Sequence, residues 1–399
     1  MTPFLRKILG MNWMLMLVMY GLLVFGVFMI ESASRHVSMT SANLSQYGSA
    51  GAYFASKQKM FILIGSAAYF FAAFMDYRWI RWLGLPIYVI SMGLMVLAMH
   101  QNDAVYQLRL GGLSFQPAQL GISSGILLIS WLVQDLPRVH RWFAAPMVRI
   151  GTIGILAAIP FLMVMKMGDM GSALVWIPVL IVALLIGGTP FRHLTFIGLI
   201  GAGTIPLLYF VALPLVSKRG PERIDIWLRM MKGEEVDISG NAWAPHNVSM
   251  AIGKAGWKGV GYNATVEQGS LNAKGFIPLE TAHNDYIFAV IGEELGFRGS
   301  LLLLTAFSLL LIQGLFIAFY SRDVMGRMLV CLIVAAFFAH IFESIGMCVL
   351  IMPITGIPLP LVSYSGTFVV ICMFLLGLVQ SVWIHRHEKP GLSLKEAEA

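Results

Sequence analysis

The sequence predicts an all-α fold of a polytopic membrane protein. Hydrophobic residues make up 58% of the chain and charged residues only 12%, whereas soluble domains carry about a quarter charged residues. Apolar runs of spanning length recur along all 399 residues and are separated by polar segments. A membrane-spanning helix needs about 20 mostly apolar residues. We therefore expect one helical membrane bundle and not a series of soluble domains.

About ten apolar runs are predicted to cross the membrane as helices. They cover residues 13–30, 60–75, 83–99, 117–133, 150–165, 172–186, 194–215, 286–320, 328–352 and 367–383. The first run is too long for the core of a signal peptide, so we interpret it as an uncleaved helix. Pro117 begins the fourth run, where a helix needs no N–H. The eighth run contains Gly296 and Gly299, and we expect a kink or interruption there.

Two segments lie outside this pattern. Residues 216–284 are the only long polar stretch, and they contain Gly, Trp and both signs of charge. We expect a structured loop between helices 7 and 8, because long unstructured loops are uncommon in compact domains. Residues 385–399 form a polar tail that we predict to be disordered. Residues 1–399 are thus predicted to form a single membrane domain.

The distribution of basic residues predicts the orientation. One set of alternate loops and the termini carry Arg6, Lys7, Arg78, Arg81, Arg138, Arg141, Arg149, Arg192, Arg322, Arg327, Arg386, Lys389 and Lys395. The opposite short loops carry only Arg35, Lys57, Lys59, Arg109 and Lys166. Cytoplasmic loops are rich in Lys and Arg, so both termini are predicted in the cytoplasm and the long loop outside the cytoplasmic (inner) membrane. The net charge of +7 then reflects orientation and contact with anionic membrane lipids, and no nucleic-acid partner is expected.

Four polar clusters fall on the predicted outer side. They lie at 106–119, at 166–169, in the long loop through Asp285, and at 353–366. Carboxylates at the edge of a membrane span usually have a function, and we expect these clusters to line an external cavity. A channel is disfavoured, because charges within the spans are too sparse for a relay. The alternative for Asn284 or Asp285 is that its side chain only caps the following helix.

Other kinds of site find little support. The glycines between 253 and 261 lack the strand–turn–helix setting of a nucleotide-binding loop. His246 and His283 have no partner at the spacing of metal ligands. The three cysteines lie in apolar segments and form no disulfide or metal pattern.

The polar clusters carry sequence motifs with a family resemblance. Residues 115–119 read FQPAQ, 169–172 read DMGS, 223–228 read RIDIWL, 283–290 read HNDYIFAV with EELG at 293–296, and 353–364 read PITGIPLPLVSY. Together these stretches resemble the SEDS family, the shape, elongation, division and sporulation group of peptidoglycan polymerases that includes RodA and FtsW. The resemblance covers residues 12 to about 383, and Asn12–Trp13 is similar to the opening of the RodA branch.

The resemblance implies a function and a candidate site. Members polymerise lipid II into glycan strands on the outer face of the membrane, in elongation and shape maintenance, with a class B penicillin-binding protein that crosslinks the product. Asp285 matches the candidate catalytic carboxylate, and as general base it would take the proton from the 4-hydroxyl of the acceptor sugar. The candidate substrate-binding residues are Arg109, Gln116, Gln119, Lys166, Asp169, Arg223, His283 and Ser363.

The leaving pyrophosphate needs its charge neutralised. Arg109, Lys166 and Arg223 are the outward basic candidates, and a divalent cation, Mg²⁺ or Mn²⁺, would serve the same purpose. The alternative for each basic residue is a cation that reaches toward lipid headgroups.

The chain departs from the family pattern at several positions. Gln119 replaces a glutamate, Ile122 replaces a lysine, Tyr106–Gln107 replaces Arg-Trp, and Ser365 replaces a glycine. The joint loss of the glutamate and the lysine indicates that a coupled ion pair has been replaced as a unit. Such a replacement can leave the stability of the protein nearly unchanged.

Two other functions therefore stay open at this point. One is a lipid II transporter (a flippase), which needs no base at Asp285. The other is a catalytically weak scaffold that recruits the penicillin-binding protein. Glycan formation from lipid II that depends on Asp285 distinguishes the enzyme from both.

Overall fold

The computed structural model describes residues 3–39, 43, 46–100, 108–110, 113–207, 219–238 and 240–387. Three predicted features lie wholly or partly outside these residues: the Tyr106–Gln107 pair, the end of the seventh run (208–215), and residues 388–399 of the tail. The prediction that the tail is disordered from residue 385 is wrong for its first residue, because His385 is buried and hydrogen-bonded to Ser381.

The described chain is mostly helical. Its helices are α1 (Pro3–Leu9), α2 (Trp13–Ala33), α3 (Ala50–Phe74), α4 (Ile80–His100), α5 (Pro117–Val139), α6 (Pro146–Lys166), α7 (Met170–Leu174), α8 (Trp176–Ile186), α9 (Phe191–Leu207), α10 (Arg219–Met231), α11 (Trp243–Lys254), α12 (Ile287–Tyr320), α13 (Val324–Cys348) and α14 (Thr367–Ile384). Two short antiparallel strands, β1 (Leu108–Leu110) and β2 (Leu113–Phe115), precede α5, with Arg109 opposite Ser114. The predicted all-α membrane class is confirmed, with the addition of this small hairpin.

Every predicted run coincides with a helix or a pair of helices. Among the described residues, seven helices are long and apolar enough to cross a membrane: Trp13–Ala33, Tyr77–His100, Pro117–Pro137, Pro146–Lys166, Ile287–Tyr320, Val324–Cys348 and Thr367–Ile384. The other three runs correspond to α3, to the shorter apolar helix Met170–Ile186, and to α9. The total of ten spans stays a prediction. The helix of the ninth predicted run, α13, ends at Cys348 and not at Met352, because Leu350 adopts a left-handed backbone with φ 61°.

Helix α13 occupies the centre of the bundle. It packs against α5, α8, α11, α12 and α14, and most of its side chains are buried. Helices α4 and α6 lie at the periphery and expose large apolar side chains such as Trp82 and Leu162. This outward apolar surface is what a lipid-facing helix presents. The polar side chains of His340, Glu343 and Ser344 on α13 are therefore enclosed by protein.

The predicted kink in α12 is confirmed at Gly296, which has φ 67° and ψ −163°. The long loop fits into this break: the N–H groups of Val260 and Gly261 donate to the carbonyl oxygens of Glu293 and Glu294, at 2.9 and 3.0 Å. A Cβ at Gly296 would lie only 2.4 Å from the backbone nitrogen of Gly259. The break thus accommodates a close crossing of two backbones.

The side chain of Glu293 also fastens the loop. It accepts hydrogen bonds from the backbone N–H groups of Leu271 and Asn272, the latter at 3.1 Å, and from the Ser270 hydroxyl at 3.5 Å. Helices α10 and α11 lie within the same loop. The expectation that residues 216–284 are structured is therefore confirmed for their described part.

Gly296→Ala is expected to destabilise the protein by about 1–3 kcal/mol, because alanine is strained at positive φ and its methyl group would collide with the backbone at Gly259. The measurement is the thermal unfolding midpoint of the purified protein in detergent. The control is Gly154→Ala in α6, where a Cβ meets nothing within 4 Å and where alanine favours the helix. Equal midpoints for the two variants would contradict this account of the kink.

Candidate functional site

The turn before α12 presents Asp285. Helix α12 begins at Ile287, and its N-cap residue Tyr286 makes no side-chain capping hydrogen bond. The backbone N–H groups of Asn284 and Asp285 both donate to the carbonyl oxygen of Thr281 at 3.0 Å. The turn is thus closed by backbone bonds, and the alternative that Asn284 or Asp285 caps the helix is wrong.

The Pro-rich segment 353–366 holds this turn in place. The Ser363 hydroxyl donates to the carbonyl oxygen of Asn284 at 2.5 Å and accepts the N–H of Leu359 at 2.9 Å. The N–H of Tyr364 donates to the carbonyl oxygen of His283 at 2.9 Å. Ser363 is 0% exposed, so the interpretation of its hydroxyl as a substrate contact is corrected. Ser363 positions Asp285 through the backbone.

His283 forms part of the wall of the site. Its ring lies 4.3 Å from the Phe54 ring and 5.4 Å from the Tyr364 ring, measured between centroids. Burial lowers the pKa of His283 to about 4, so the imidazole is neutral near pH 7. Its role as a substrate contact stays a prediction, but an imidazolium that pairs with phosphate is disfavoured.

Asp285 is held without side-chain hydrogen bonds to any described residue, and Gly356 lies beside its carboxylate. A Cβ at Gly356 would be 3.5 Å from Oδ2. Burial raises the pKa of Asp285 to about 7, and the charge of Asp169 acts in the same direction, while Arg223 opposes them. The dipole of α12 favours an ionised carboxylate at the start of the helix, whereas burial raises the pKa and so opposes it. A pKa near neutrality suits a general base.

Asp169 is the second carboxylate of the site and caps the short helix α7. Its Oδ1 accepts the N–H of Ser172 at 2.9 Å, and its Oδ2 accepts from Nε2 of Gln116 at 2.7 Å and from the Ser172 hydroxyl at 2.8 Å. Burial nevertheless raises the pKa of Asp169, against the effect of these bonds and of Arg223. The prediction that Gln116 and Asp169 share one site is consistent with this geometry.

Arg223 supplies the positive charge next to both carboxylates. It lies on α10, and its Nη1 donates to the carbonyl oxygen of Ile354 at 3.4 Å. Trp227, one turn further on, donates from Nε1 to the carbonyl oxygen of Leu350 at 2.8 Å. These two bonds fix α10 to the segment that borders Asp285. The guanidinium charge thus acts on both Asp285 and Asp169.

The other predicted basic residues are placed less decisively. The side chain of Arg109 lies outside the described atoms, although its backbone forms the hairpin ahead of α5. Lys166 ends α6 with an exposed side chain, and within the described residues it makes no ion pair with Asp169 or Asp285. Both remain predictions as pyrophosphate ligands.

Gln119 is buried and does not line an open surface. It is 2% exposed; its Nε2 donates to the Ser172 hydroxyl at 3.1 Å, and its Oε1 lies 3.1 Å from Nε2 of His340. Its predicted substrate contact is therefore corrected to a structural contact with the residues that hold Asp169. Ile122 is also 2% exposed and belongs to the apolar core.

Sequence reasoning missed Ser172, His340 and Glu343 as parts of this region. His340 and Glu343 lie one turn apart on α13 and are both buried, and Glu343 Oε2 has no hydrogen-bond partner in the described structure. The signal that would have found them is a pair of ionisable residues inside an apolar run.

The described residues contain no group of three or more His, Cys, Asp or Glu side chains arranged to hold a metal ion. Mg²⁺ is often bound by only one or two carboxylates together with substrate phosphates. Asp285 and Asp169 fit that mode only when a pyrophosphate completes the ligands.

Comparison with known proteins places the chain in a family. Residues 12–389 match the FtsW/RodA/SpoVE family of cell cycle proteins. A probable peptidoglycan glycosyltransferase FtsW of Trichlorobacter lovleyi is 29% identical over 380 residues, which cover 92% of each chain. The peptidoglycan glycosyltransferase MrdB of Escherichia coli K12 is 30% identical over 280 residues, which cover 70% of each chain.

A solved structure supports the same fold. A chain from a peptidoglycan synthase complex, solved to describe how polymerization and crosslinking are coordinated, superposes with a TM-score of 0.72 at 21% identity. The superposition covers 95% of this chain and 99% of the other. The fold, the motifs and the length of the match together place the protein in the SEDS class of membrane proteins. The chain belongs to the FtsW/RodA/SpoVE family.

Ser363→Ala is expected to lower stability by about 1–3 kcal/mol, because the buried Asn284 carbonyl and Leu359 N–H would both lose their partner. Thermal unfolding in detergent measures this loss. Ser365→Ala, two residues further along, is the matched control and should leave the midpoint nearly unchanged. A Ser363→Ala variant of unchanged stability that binds substrate less tightly would restore the substrate-contact interpretation.

Proposed function

We propose that this protein is a peptidoglycan glycosyltransferase that polymerises lipid II into glycan strands, with Asp285 as the general base. The observation that carries the proposal is the partly buried Asp285 carboxylate: burial raises its pKa to about 7, and the charges of Asp169 and Arg223 act on it in opposite directions. The names of the curated relatives support the activity. A role in cell-wall elongation and shape maintenance accords with the resemblance of the Asn12–Trp13 opening to the RodA branch.

The proposed reaction is a glycosyl transfer in which Asp285 accepts the proton that is released. The 4-hydroxyl oxygen of the acceptor sugar attacks C1 of the donor sugar, and a glycosidic bond forms. The bond between C1 and the pyrophosphate oxygen breaks, and undecaprenyl pyrophosphate leaves. The hydroxyl proton passes to Asp285, and Arg223 stabilises the negative charge that develops on the pyrophosphate.

The remaining polar residues are proposed to bind substrate or to shape the site. Gln116 and Asp169 form one edge next to Asp285. Arg109 and Lys166 are proposed as outer contacts for the pyrophosphate. His283, neutral and stacked against aromatic rings, is proposed to wall the cavity. A Mg²⁺ or Mn²⁺ ion bound jointly by carboxylates and substrate would add positive charge at the same place.

The setting of the site agrees with a membrane-embedded synthase. The distribution of Lys and Arg supports the cytoplasmic membrane with both termini in the cytoplasm, and the loop 216–284 then lies outside, within a single membrane domain of residues 1–399. The partner is proposed to be a class B penicillin-binding protein, which accords with the fold match to a chain of a peptidoglycan synthase complex. Apolar surfaces on α4 and α6 meet the lipids.

Asp285→Asn is expected to reduce polymerisation by about 10²–10⁴-fold, because the amide cannot accept a proton and positioned proton transfer contributes about that much. The assay follows labelled lipid II with purified protein, with and without its penicillin-binding partner, and glycan ladders are the readout. The control is Glu267→Gln, an exposed carboxylate in the long loop. Ladders at the parental rate in Asp285→Asn would refute the general base. Lipid movement across vesicles without ladders would indicate the transporter.

The rate of polymerisation is expected to rise with pH through about 7. The pKa of Asp285 is raised from its usual value to about 7, so the ionised form that accepts protons is lost as pH falls below that value. The measurement is the initial rate under substrate-limited conditions as a function of pH. An acid limb centred near the ordinary pKa of an aspartate, about 4, would contradict the burial argument.

Orientation is tested with two cysteines, one in the long loop before α12 and one just after that helix. Glu267→Cys, exposed in the long loop, should react with an impermeant thiol reagent added outside spheroplasts. Arg322→Cys, exposed just after α12, should react only after the membrane is permeabilised. The native cysteines give little background, because Cys348 and Cys372 are buried and Cys331 is partly buried. The reverse labelling order would overturn the proposed orientation.

A further inference from the structure

An apolar groove runs between α2 and α12 on the outside of the bundle. Its volume is about 270 Å³, and its walls are residues within 17–25 of α2 and 295–309 of α12, all of them Leu, Val, Phe, Ala or Gly. Leu17 and Leu302 on the two walls are 68% and 70% exposed, so the groove is open to the surroundings of the bundle. In a membrane those surroundings are lipid chains.

The dimensions of the groove fit a hydrocarbon chain and not a helix. Residues 295–309 rise about 20 Å along α12, and the hydrocarbon core of a membrane is about 30 Å thick. A helix about 10 Å wide would occupy about 1,600 Å³ over that length, several times the volume of the groove. An apolar cavity of about 150 Å³ already holds a benzene molecule, so the groove has room for a stretch of one flexible chain.

Aromatic side chains mark the end of the groove that lies next to the long loop. The exposed rings of Trp257 and Phe297 stack there, with 5.3 Å between their centroids. The hydroxyl of Tyr262, which is also exposed, donates to the carbonyl oxygen of Phe28 on α2 at 3.1 Å. Trp and Tyr are enriched where lipid chains meet their headgroups. This end of the groove therefore lies at headgroup level.

Three exposed cations surround the same end. Arg298 directly precedes Gly299 of the groove wall, and its N–H donates to the carbonyl oxygen of Trp257 at 3.3 Å, which brings Lys258 to this end. Arg35 follows the end of α2, where the Ser32 hydroxyl donates to the Glu294 carboxylate and joins α2 to α12. None of the three cations forms an ion pair with another described residue.

The acidic side chains of these two helix ends do not cancel this charge at the surface. Glu31 on α2 is half-buried and Glu294 on α12 is buried, whereas Arg35, Lys258 and Arg298 are exposed. The surface at headgroup level is therefore positive, and each Lys or Arg near an anionic lipid favours its binding.

We propose that the groove between α2 and α12 binds one acyl chain of an anionic phospholipid, whose phosphate lies among Arg35, Lys258 and Arg298. The apolar walls accept the chain, and the cations at headgroup level accept the phosphate. The lipid would be a separate ligand from the substrate of the candidate site, because the segments that border Asp285 (281–286, 353–366, α7 and α10) contribute no residue to the groove wall.

The position of the groove gives the lipid a structural consequence. Leu295 and Gly299 of the groove wall lie on either side of the break at Gly296, and Lys258 belongs to the loop segment that crosses that break. One bound lipid would thus contact α2, both sides of the break in α12 and the long loop.

Gly21→Leu tests the chain-binding part. A Cβ at Gly21 meets nothing within 4 Å, so the leucine side chain enters the groove without displacing protein atoms. The probe is phosphatidylglycerol with a photoreactive diazirine in one acyl chain, added in trace amount to phosphatidylcholine vesicles that hold the full-length protein. Mass spectrometry is expected to find the label within 17–25 and 295–309 in the parent and to show its loss in Gly21→Leu. Gly93→Leu on α4 is the matched control, since Gly93 is exposed and equally open but lies outside the groove.

Arg298→Gln tests the headgroup part and provides the test by itself if Gly21→Leu does not fold. Unlabelled phosphatidylglycerol should compete for the groove better than phosphatidylcholine with the same chains. Arg298→Gln is expected to lower the apparent affinity for phosphatidylglycerol by about fivefold, which is what one Lys or Arg near an anionic lipid contributes. Arg322→Gln is the matched control, because Arg322 is an exposed arginine just beyond the other end of α12.

Four results would overturn the proposal. Label spread equally over α4 and α6 would indicate unspecific lipid contact, and equal competition by phosphatidylcholine would remove the role of the cations. Stronger competition by a polyprenyl phosphate would assign the groove to an isoprenoid lipid. Loss of the label when the class B penicillin-binding protein is added would assign it to a helix of that partner.

Discussion

The site depends on the hydrogen bonds that tie the turn 281–286 to the segment 353–366. Neither segment is a helix, so their peptide groups lack the partners that a helix supplies internally, and irregular backbone at a membrane edge is tolerated only when enclosed by protein. Ser363 and Tyr364 provide those partners for the carbonyls of Asn284 and His283. Because the two segments satisfy each other's backbone hydrogen-bonding groups, the backbone positions Asp285. Its carboxylate makes no hydrogen bond to the described residues that would compete with a substrate.

The buried negative charge is the second constraint on the site, because the site contains the carboxylates of Asp169 and Asp285 and the nearby cation is Arg223. Burying an ion is costly unless it is paired or hydrogen-bonded. Asp169 is hydrogen-bonded three times, whereas Asp285 is not; burial raises the pKa of both carboxylates, that of Asp285 to about 7. The same desolvation that penalises the charge makes this carboxylate basic enough to accept a proton near neutral pH. Stability and reactivity are therefore opposed at this residue.

Local rules were enough to predict the helices, the start at Pro117, the break at Gly296 and the structured loop, because each depends on apolar length or backbone geometry. They also placed Asp285, Asp169, Gln116 and Arg223 on one side, and the fold brings these residues together. The roles of Ser363 and Gln119 were not predictable, because both depend on burial by distant segments. His340 and Glu343 form a pair of ionisable residues in an apolar run, which was a signal, but the partner of His340, Gln119, lies on another helix and could not be inferred from the run.

The neutral residues at 119 and 122 are best understood together. They lie about one turn apart on α5, where a glutamate and a lysine would pair, and both positions are buried. Restoring only the lysine at 122 would place an unpaired cation in the apolar core, and losing one partner of a buried pair costs about 3–5 kcal/mol. Single exchanges are thus strongly disfavoured, while the double exchange leaves Ile122 packed in the core and frees Gln119 to bond His340 and Ser172. The departure from the family pattern therefore replaces a charged contact within α5 by a neutral one that joins α5, α7 and α13.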